Sequence, residues 1–295
     1  MESKPKIVIG TPCYNMEMNA QVAVTMAKCI LEWSKDYTVS WRVPVRTFIC
    51  KARHAIVREA LQSGADYILW ADDDAIIDPS FLNKLIAHGK EIVITPYFLR
   101  DPPYLCGVLK SETGDFMDQR TYRNIDTDDL DKGLIEVDGG GTHCMLTSTK
   151  IYGPPRDFQE QPLEEYSQKY PGKMPLPWFV LAPSGGTEDM YMCWMAKRVG
   201  LKIYCDSDIH SPHIGYRDII TPEHRKSWKG KFGNHTLNQV LSEQLLEDGM
   251  ESKQLPAWKF IGACNAAKSE VCDTSKSTLV ADVVQESSPA QATLA

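Results

Sequence analysis

No apolar run of about 18 residues occurs in this 295-residue chain, so a membrane-spanning helix is not expected. The opening residues, Met1-Glu2-Ser3-Lys4-Pro5-Lys6, lead straight into a β-favouring stretch without the apolar core of a secretory signal. A soluble, cytoplasmic protein is the expectation. Paired cysteines are missing as well. Nine cysteines are spread along the chain and no two stand as C-x-x-C, which argues against the common structural zinc sites and against a disulfide framework. Cys29, Cys50 and Cys193 lie among apolar neighbours, where free buried thiols belong. Positive charge is in short supply: 32 Lys and Arg against 39 Asp and Glu leave a net charge of −7. Bulk attraction to nucleic acid or to an anionic membrane is therefore not expected. There is no G-x-x-x-x-G-K-[ST] either, so a P-loop is excluded.

What the chain does have is 43% hydrophobic content, enough for one large α/β domain with a substantial core. Its most informative stretch is Tyr67-Ile68-Leu69-Trp70-Ala71-Asp72-Asp73-Asp74-Ala75, an apolar run that ends in three carboxylates. A short, aromatic-rich run suits a buried strand. The acids then stand at the strand's carboxyl end, the edge where open α/β sheets bind ligands. An Asp-x-Asp pair there offers oxygen atoms to a hard divalent cation. A solvated acidic turn is the competing reading.

Along the chain, Lys6 to Gly10 reads as a first strand and Thr11 to Asn19 as its loop. A helix from Gln21 to Trp33 follows, with apolar residues at Val22, Met26, Cys29, Ile30 and Trp33. Strand, loop and helix in that order open a doubly wound fold. Further strands are expected over Thr38 to Val45 and Glu91 to Phe98. Helices are expected over Ile49 to Leu61 and from Asp78-Pro79-Ser80 to His88. Ser111 to Lys132, dense in Asp, reads as a mobile hairpin or loop between β-like runs at Tyr104 to Leu109 and Leu134 to Val137. The three glycines of Asp138-Gly139-Gly140-Gly141-Thr142-His143 allow a close backbone approach, whether to a ligand or within the sheet. Pro154 to Pro183 carries prolines at 154, 155, 162, 171, 175, 177 and 183 and reads as a long surface loop. Its aromatics, Phe158, Tyr166, Tyr170, Trp178 and Phe179, either pack over the sheet or stack on sugars. Glu188 and Asp189 open a helix, where the dipole alone explains carboxylates. After a strand at Lys202 to Cys205 comes a ligand-rich window holding Asp206, Asp208, His210 and His213. Glu223 to Phe232 reads as a basic helix around Trp228, either a lid or a solvated surface, and Leu237 to Leu246 as a further short helix. The expected organisation is a domain over 1–216, a helical extension over 217–264 and a disordered tail over 265–295.

Four of these signals fall in a telling order: Ile7-Val8-Ile9-Gly10-Thr11-Pro12-Cys13-Tyr14-Asn15, then Ala52-Arg53-His54, then Asp72-Asp73-Asp74, then Gly186-Thr187-Glu188-Asp189 followed by His213-Ile214-Gly215. Across about residues 5–216 they resemble the GT-A glycosyltransferases, the nucleotide-sugar enzymes grouped with family 2. The resemblance implies a Rossmann-like α/β fold with a mostly parallel central sheet flanked by helices. It also implies a nucleotide-diphosphate sugar donor, a UDP- or GDP-sugar. The donor would be held by Thr11, Pro12 and Tyr14 after the first strand, by Arg53, Asp72 and Asp73, and by Gly140 and Gly141 of the glycine turn. His54 stands where the family has Asn.

Asp138 and His143 are implied as contacts for sugar or acceptor. Asp72, Asp74 and His213 are implied as ligands of Mn²⁺ or Mg²⁺, with His213 preferred to His210 and the nitrogen donor favouring Mn²⁺. Asp189 is implied as the base that takes the acceptor hydroxyl's proton in an inverting transfer, and Glu188 as the residue that orients the acceptor. A glycan or another hydroxyl compound is the expected acceptor; hydroxylated bases in DNA are disfavoured by the acidic balance. A retaining transferase on the same scaffold and an inactive nucleotide-sugar or glycan binder are the alternatives.

Overall fold

The computed structural model of the protein describes residues 3–117, 121–157, 161–181, 187–215, 218–236 and 239–240. Lys6–Gly10 forms β1 and Ala20–Trp33 forms α1, whose start is capped by the Asn19 side chain accepting from the Gln21 amide. β2 (Thr38–Arg42) and α2 (Ile49–Ser63) follow, then the acid-tipped strand β3 (Tyr67–Ala71), α3 (Ser80–Ala87) and β4 (Ile92–Ile94). The middle of the chain is strand-rich, with β5 (Val108–Ser111), β6 (Tyr122–Asn124), β7 (Leu134–Val137), β8 (Gly139–Gly140) and β9 (Cys144–Ser148). The last third holds β10 (Tyr152–Pro155), α4 (Leu163–Lys169), β11 (Met174–Leu176) and α5 (Glu188–Arg198). It ends in β12 (Ile203–Asp206), β13 (His213–Ile214), β14 (Ile219–Ile220) and α6 (Pro222–Phe232).

Seven strands make the central sheet in the order β2-β1-β3-β9-β4-β12-β7. β1, β2, β3, β4 and β12 share one direction, while β9 and the edge strand β7 oppose it. The sheet is thus mostly parallel, as expected. Its side chains alternate between two cores with the period of two that a pleated strand imposes. Ile7, Ile9, Leu69 and Val93 face one core with Met26, Cys29 and Trp33 of α1 and Leu82 and Leu85 of α3. Val8, Ile68, Trp70, Ile92 and Ile94 face the other with Ile56, Val57 and Ala60 of α2 and Met192, Cys193 and Ala196 of α5. Helices therefore cover both faces, which leaves the strand ends open for a site.

One segment read as a surface loop is built instead, and the stretch read as a hairpin or loop holds a hairpin. In Pro154 to Pro183, β10 and β11 pair in parallel with α4 between them. Aromatic tips satisfy the carbonyls that the prolines leave free: Tyr166 donates to Pro154 O (3.0 Å), and Trp178 Nε1 to Gly153 O (3.1 Å) and Met174 O (3.2 Å). Tyr166, Trp178 and Phe179 are buried, so they pack rather than await a sugar; Phe158 and Gly186 lie outside the described residues. The Asp-rich stretch contains the β5–β6 hairpin and a turn at Thr127–Asp129 capped by Asp126. Buried Arg225 of α6 donates to Asp126 twice (3.0 and 2.8 Å) and to Pro103 O (3.1 Å). This pins α6 to the turn after the hairpin by one buried side chain, while Glu223, Lys226, Ser227, Gly230 and Lys231 remain exposed, the solvated face expected of it.

Met1–Asn234 is one compact unit and His235–Ala295 a second. In the second, the Val240 amide donates to Thr236 O (3.1 Å). Apart from Gln239 and Val240, the helix expected at Leu237 to Leu246 lies outside the described residues, as does the tail. Among the described residues no helix is long and apolar enough to cross a membrane.

Candidate metal centre

β3 delivers its acids to the carboxyl edge because every residue from Ile68 to Ala71 is fully buried and Asp72 is the first that reaches the surface. Two backbone pairings then bring distant segments alongside. The Asp72 amide donates to His143 O (3.1 Å), continuing the antiparallel register in which Ala71 faces Cys144. The Ile214 amide donates to Asp74 O (2.9 Å) and the Ile76 amide to Pro212 O (3.0 Å), so Ala75 and His213 form an antiparallel bridge. Asp74, His143 and His213 consequently converge, each offering a ligand atom within 4.8 Å of the others. Atoms bound about 2.1 Å from one cation lie about 3–4.3 Å apart, so small side-chain movements fit this set around an ion.

The donor chemistry fits too. His213 Nδ1 is 2.9 Å from Phe98 O and donates to it, which leaves Nε2 as the acceptor nitrogen, 3.2 Å from Asp74 Oδ2. His143 Nδ1 lies 3.6 Å from Asp74 Oδ1, and its Nε2 is buried without a hydrogen-bond partner. Both imidazoles stay neutral, the form that binds metals: burial first, then His213, holds His143 down to about 3, and burial lowers His213. Tyr97 fixes the two rings, stacking on His143 (4.5 Å, 19°) and meeting His213 edge-on (5.8 Å, 77°). The phenol fits only because its neighbours are glycines. A Cβ on Gly141 would stand 2.0 Å from the Tyr97 hydroxyl, and one on Gly107 2.1 Å from the ring. Asp72, Asp74, Tyr97, Arg100, His143 and His213 border a cavity of about 510 Å³, within the range of small-ligand pockets.

Arg53 connects this centre to α5. Its Nε donates to Glu188 (2.8 Å) and a terminal nitrogen to Asp72 (3.2 Å), while the guanidinium lies over Trp70 (5.5 Å) and Phe179 (6.0 Å). Burial opposes its charge, but Asp72, Glu188 and Asp189 outweigh that and push its pKa up. Asp189, beside Glu188, accepts from Thr187 Oγ1 and from the Met190 amide. Burial and then the Glu188 charge raise its pKa, as a carboxylate needs to act as a base near neutrality. The same charge field reaches Tyr97, whose pKa is raised by burial and then by Asp189 and Asp72.

Neither a protein-family model nor a curated protein matches the chain. Three solved structures similar to it are A197 from STIV, apo UDP-glucose pyrophosphorylase and a putative glucose-1-phosphate thymidylyltransferase from Bacillus anthracis with sucrose. A197 is 15% identical, with 75% of this chain and 91% of that one covered and a TM-score of 0.43. The pyrophosphorylase is 9% identical, with 78% and 98% covered and a TM-score of 0.39. The thymidylyltransferase is 10% identical, with 80% and 97% covered and a TM-score of 0.32. At such scores nothing about chemistry follows.

The other expected site residues fall differently. Asp72 borders the cavity, but the three-ligand cluster has His143 where Asp72 was expected. Arg53, expected to face the donor, is 3% exposed and holds two carboxylates instead. Gly140 and Gly141 are buried; Gly140 pairs with Val108 of β5 and Gly141 accommodates Tyr97, so neither presents backbone to a sugar. Thr11 is buried and accepts from Trp41 Nε1 (3.0 Å), and Pro12 is buried beside it; of the three expected contacts in that loop, Tyr14 is the exposed one, next to Phe48. Asp73 points at Cys13 of the loop and is raised chiefly by burial. Asp138 is bonded to the Ser111 amide (2.7 Å) and to Lys197. His210 is 3.1 Å from Ser207 O and stands outside the cluster. His143 as a ligand, Tyr97 and Arg100 had no sequence signal of their own. Only the β3–β9 register reveals the first of them.

Proposed function

We propose that the chain is a metal-dependent glycosyltransferase that moves a sugar from a nucleotide-diphosphate donor to a hydroxyl acceptor with inversion. The observation that carries this is the convergence of Asp74, His143 and His213 at the carboxyl edge of a mostly parallel sheet, with the Glu188–Asp189 helix start tied to the same edge through Arg53. Asp74, His143 and His213 would hold the cation, and Asp72 would bind the donor beside it. The cation, when bound, supplies a Lewis acid for the departing diphosphate. Two imidazoles and one carboxylate favour Mn²⁺ over Mg²⁺. Asp189 takes the proton of the acceptor hydroxyl as it attacks, its raised pKa matching it to that task. Glu188, gripped by Arg53, fixes the helix start and hence the direction of Asp189. Tyr14, exposed on the loop after β1, would meet the nucleotide.

The test is a panel of nucleotide sugars incubated with Mn²⁺, followed for release of the nucleoside diphosphate and, by NMR, for the anomeric configuration of the product. Asp189→Asn should cut turnover by about 10²–10⁴-fold and leave Mn²⁺ binding intact. A change below tenfold would remove Asp189 from the role of base. Two His and one carboxylate is also a donor set that holds Fe(II) in oxygenases. Fe(II) with O₂ consumption as readout therefore belongs in the same panel.

A further inference from the structure

Arg100 sits where a cation would. Its Nε–H donates to His213 Nε2 (3.1 Å) and a terminal nitrogen pairs with Asp74 Oδ2. These atoms belong to two of the three candidate metal ligands. It reaches them from a tight turn in which the Leu99 amide donates to Leu105 O (2.9 Å) and the Tyr104 amide to Asp101 O (2.8 Å). The Arg100 side chain is 37% exposed against 18% for Asp74, so it lies on the rim and can swing out while the residues beneath stay packed. Among the described residues it is also the only Lys or Arg bordering the cavity. His213 Nε2 has one lone pair, and it cannot give that pair to the Arg100 N–H and to a divalent ion at once. Arg100 and a metal therefore exclude each other at His213, and Arg100 takes up part of the Asp74 carboxylate as well.

On the reading that Asp74, His143 and His213 hold a cation, we propose that Arg100 alternates between two partners. Without the ion it closes the centre, neutralising Asp74 and capping His213. With the ion in place it is displaced into the cavity, where its planar fork takes a diphosphate group in two parallel hydrogen bonds. The anion then keeps Arg100 off the ligands, so cation and diphosphate each favour binding of the other. The residue is thus both the plug of the empty centre and the anion contact of the loaded one.

The experiment is calorimetry on the full chain. Mn²⁺ alone is titrated into wild type, Arg100→Gln, Arg100→Met and Asp74→Asn; inorganic pyrophosphate, and separately UDP, is then titrated at fixed free Mn²⁺. Two substitutions of different polarity guard against one of them failing to fold, and far-UV circular dichroism checks both. The expected result is Mn²⁺ binding about tenfold tighter or better in the Arg100 variants, since a charged contact on the ligands is gone. Pyrophosphate and UDP binding should both weaken by about tenfold. Equal Mn²⁺ affinity in wild type and variants, abolished by Asp74→Asn, overturns the plug and leaves the metal centre standing. Tighter Mn²⁺ with unchanged pyrophosphate, or a loss with UDP alone, overturns the diphosphate contact. No Mn²⁺ binding in wild type or the Arg100 variants removes the metal centre and this proposal with it.

Discussion

Removing Arg53 should destabilise the fold more than any other single change near the site. Its guanidinium is 3% exposed and bonded to Glu188 (2.8 Å), itself 8% exposed, and to Asp72 (3.2 Å). Arg53→Ala leaves buried Glu188 without its counter-charge, takes a partner from the partly exposed Asp72 and opens a void under Trp70 and Phe179. Breaking one side of a buried ion pair costs about 3–5 kcal/mol. For a unit the size of Met1–Asn234, each kcal/mol lowers Tm by about 2–4 °C, so the drop should be about 6–20 °C. Arg53→Lys should fall between, because a point charge cannot fork to both acids. Arg53→Met combined with Glu188→Leu should recover about half of the loss or more, since an apolar pair replaces the buried charge. Scanning calorimetry and urea unfolding measure all three. A loss under about 1 kcal/mol in Arg53→Ala, or a double variant no better than the single, would refute the reasoning that a buried charge network holds the acid edge against α5.

Gly141→Ala places a Cβ against the Tyr97 hydroxyl and should cost about 1–3 kcal/mol by overpacking. Adding Tyr97→Phe should relieve part of it, and strict additivity in a double-mutant cycle would contradict the clash. His54 accepts from the Trp178 amide (3.1 Å) while its Nδ1 donates to Cys50 O (2.6 Å), and burial lowers its pKa. The unfolded chain therefore binds more protons just below the ordinary histidine value, and stability should fall as pH drops below about 6.5. His54→Asn should reduce, but not abolish, the dependence of Tm on pH between 5 and 7, since His143 and His213 are lowered as well, and an unchanged slope counts against the assignment. Because burial raises the pKa of Asp189, the acid limb of the transfer rate should lie above the ordinary carboxylate range and vanish from the residual activity of Asp189→Asn; a limb near pH 4 in wild type argues for a solvated group.

The scaffold was legible because its signals are local. The fully buried run Ile68–Ala71 ending at Asp72 reads as a strand with an acidic tip, and the helix periodicity of α1 is plain in Val22, Met26, Cys29 and Trp33. His213 is preferred to His210 on the resemblance alone, as the histidine of a His-x-Gly. What stayed hidden depends on register and on contacts far apart in sequence. His143 becomes a ligand only because Ala71 faces Cys144 across β3 and β9. Arg53 turned inward because Phe179 closes over it, and Phe179 belongs to a segment whose prolines masked its order. The glycines left a ligand and the sheet both open as what comes close; Gly139 meets Met190 and Cys193, Gly140 meets Ile94 and the backbone of Gly107 and Val108, and Gly141 meets Tyr97.

The most direct test of the metal centre is pulsed EPR of the full chain with one equivalent of Mn²⁺, on wild type and on Asp74→Asn, His143→Phe and His213→Phe. The account predicts ¹⁴N coupling from two imidazoles in wild type, from one imidazole in either His variant, and loss of high-affinity Mn²⁺ in Asp74→Asn. Mn²⁺ bound tightly without nitrogen coupling, or coupling untouched by both His substitutions, would place the ion elsewhere and contradict it.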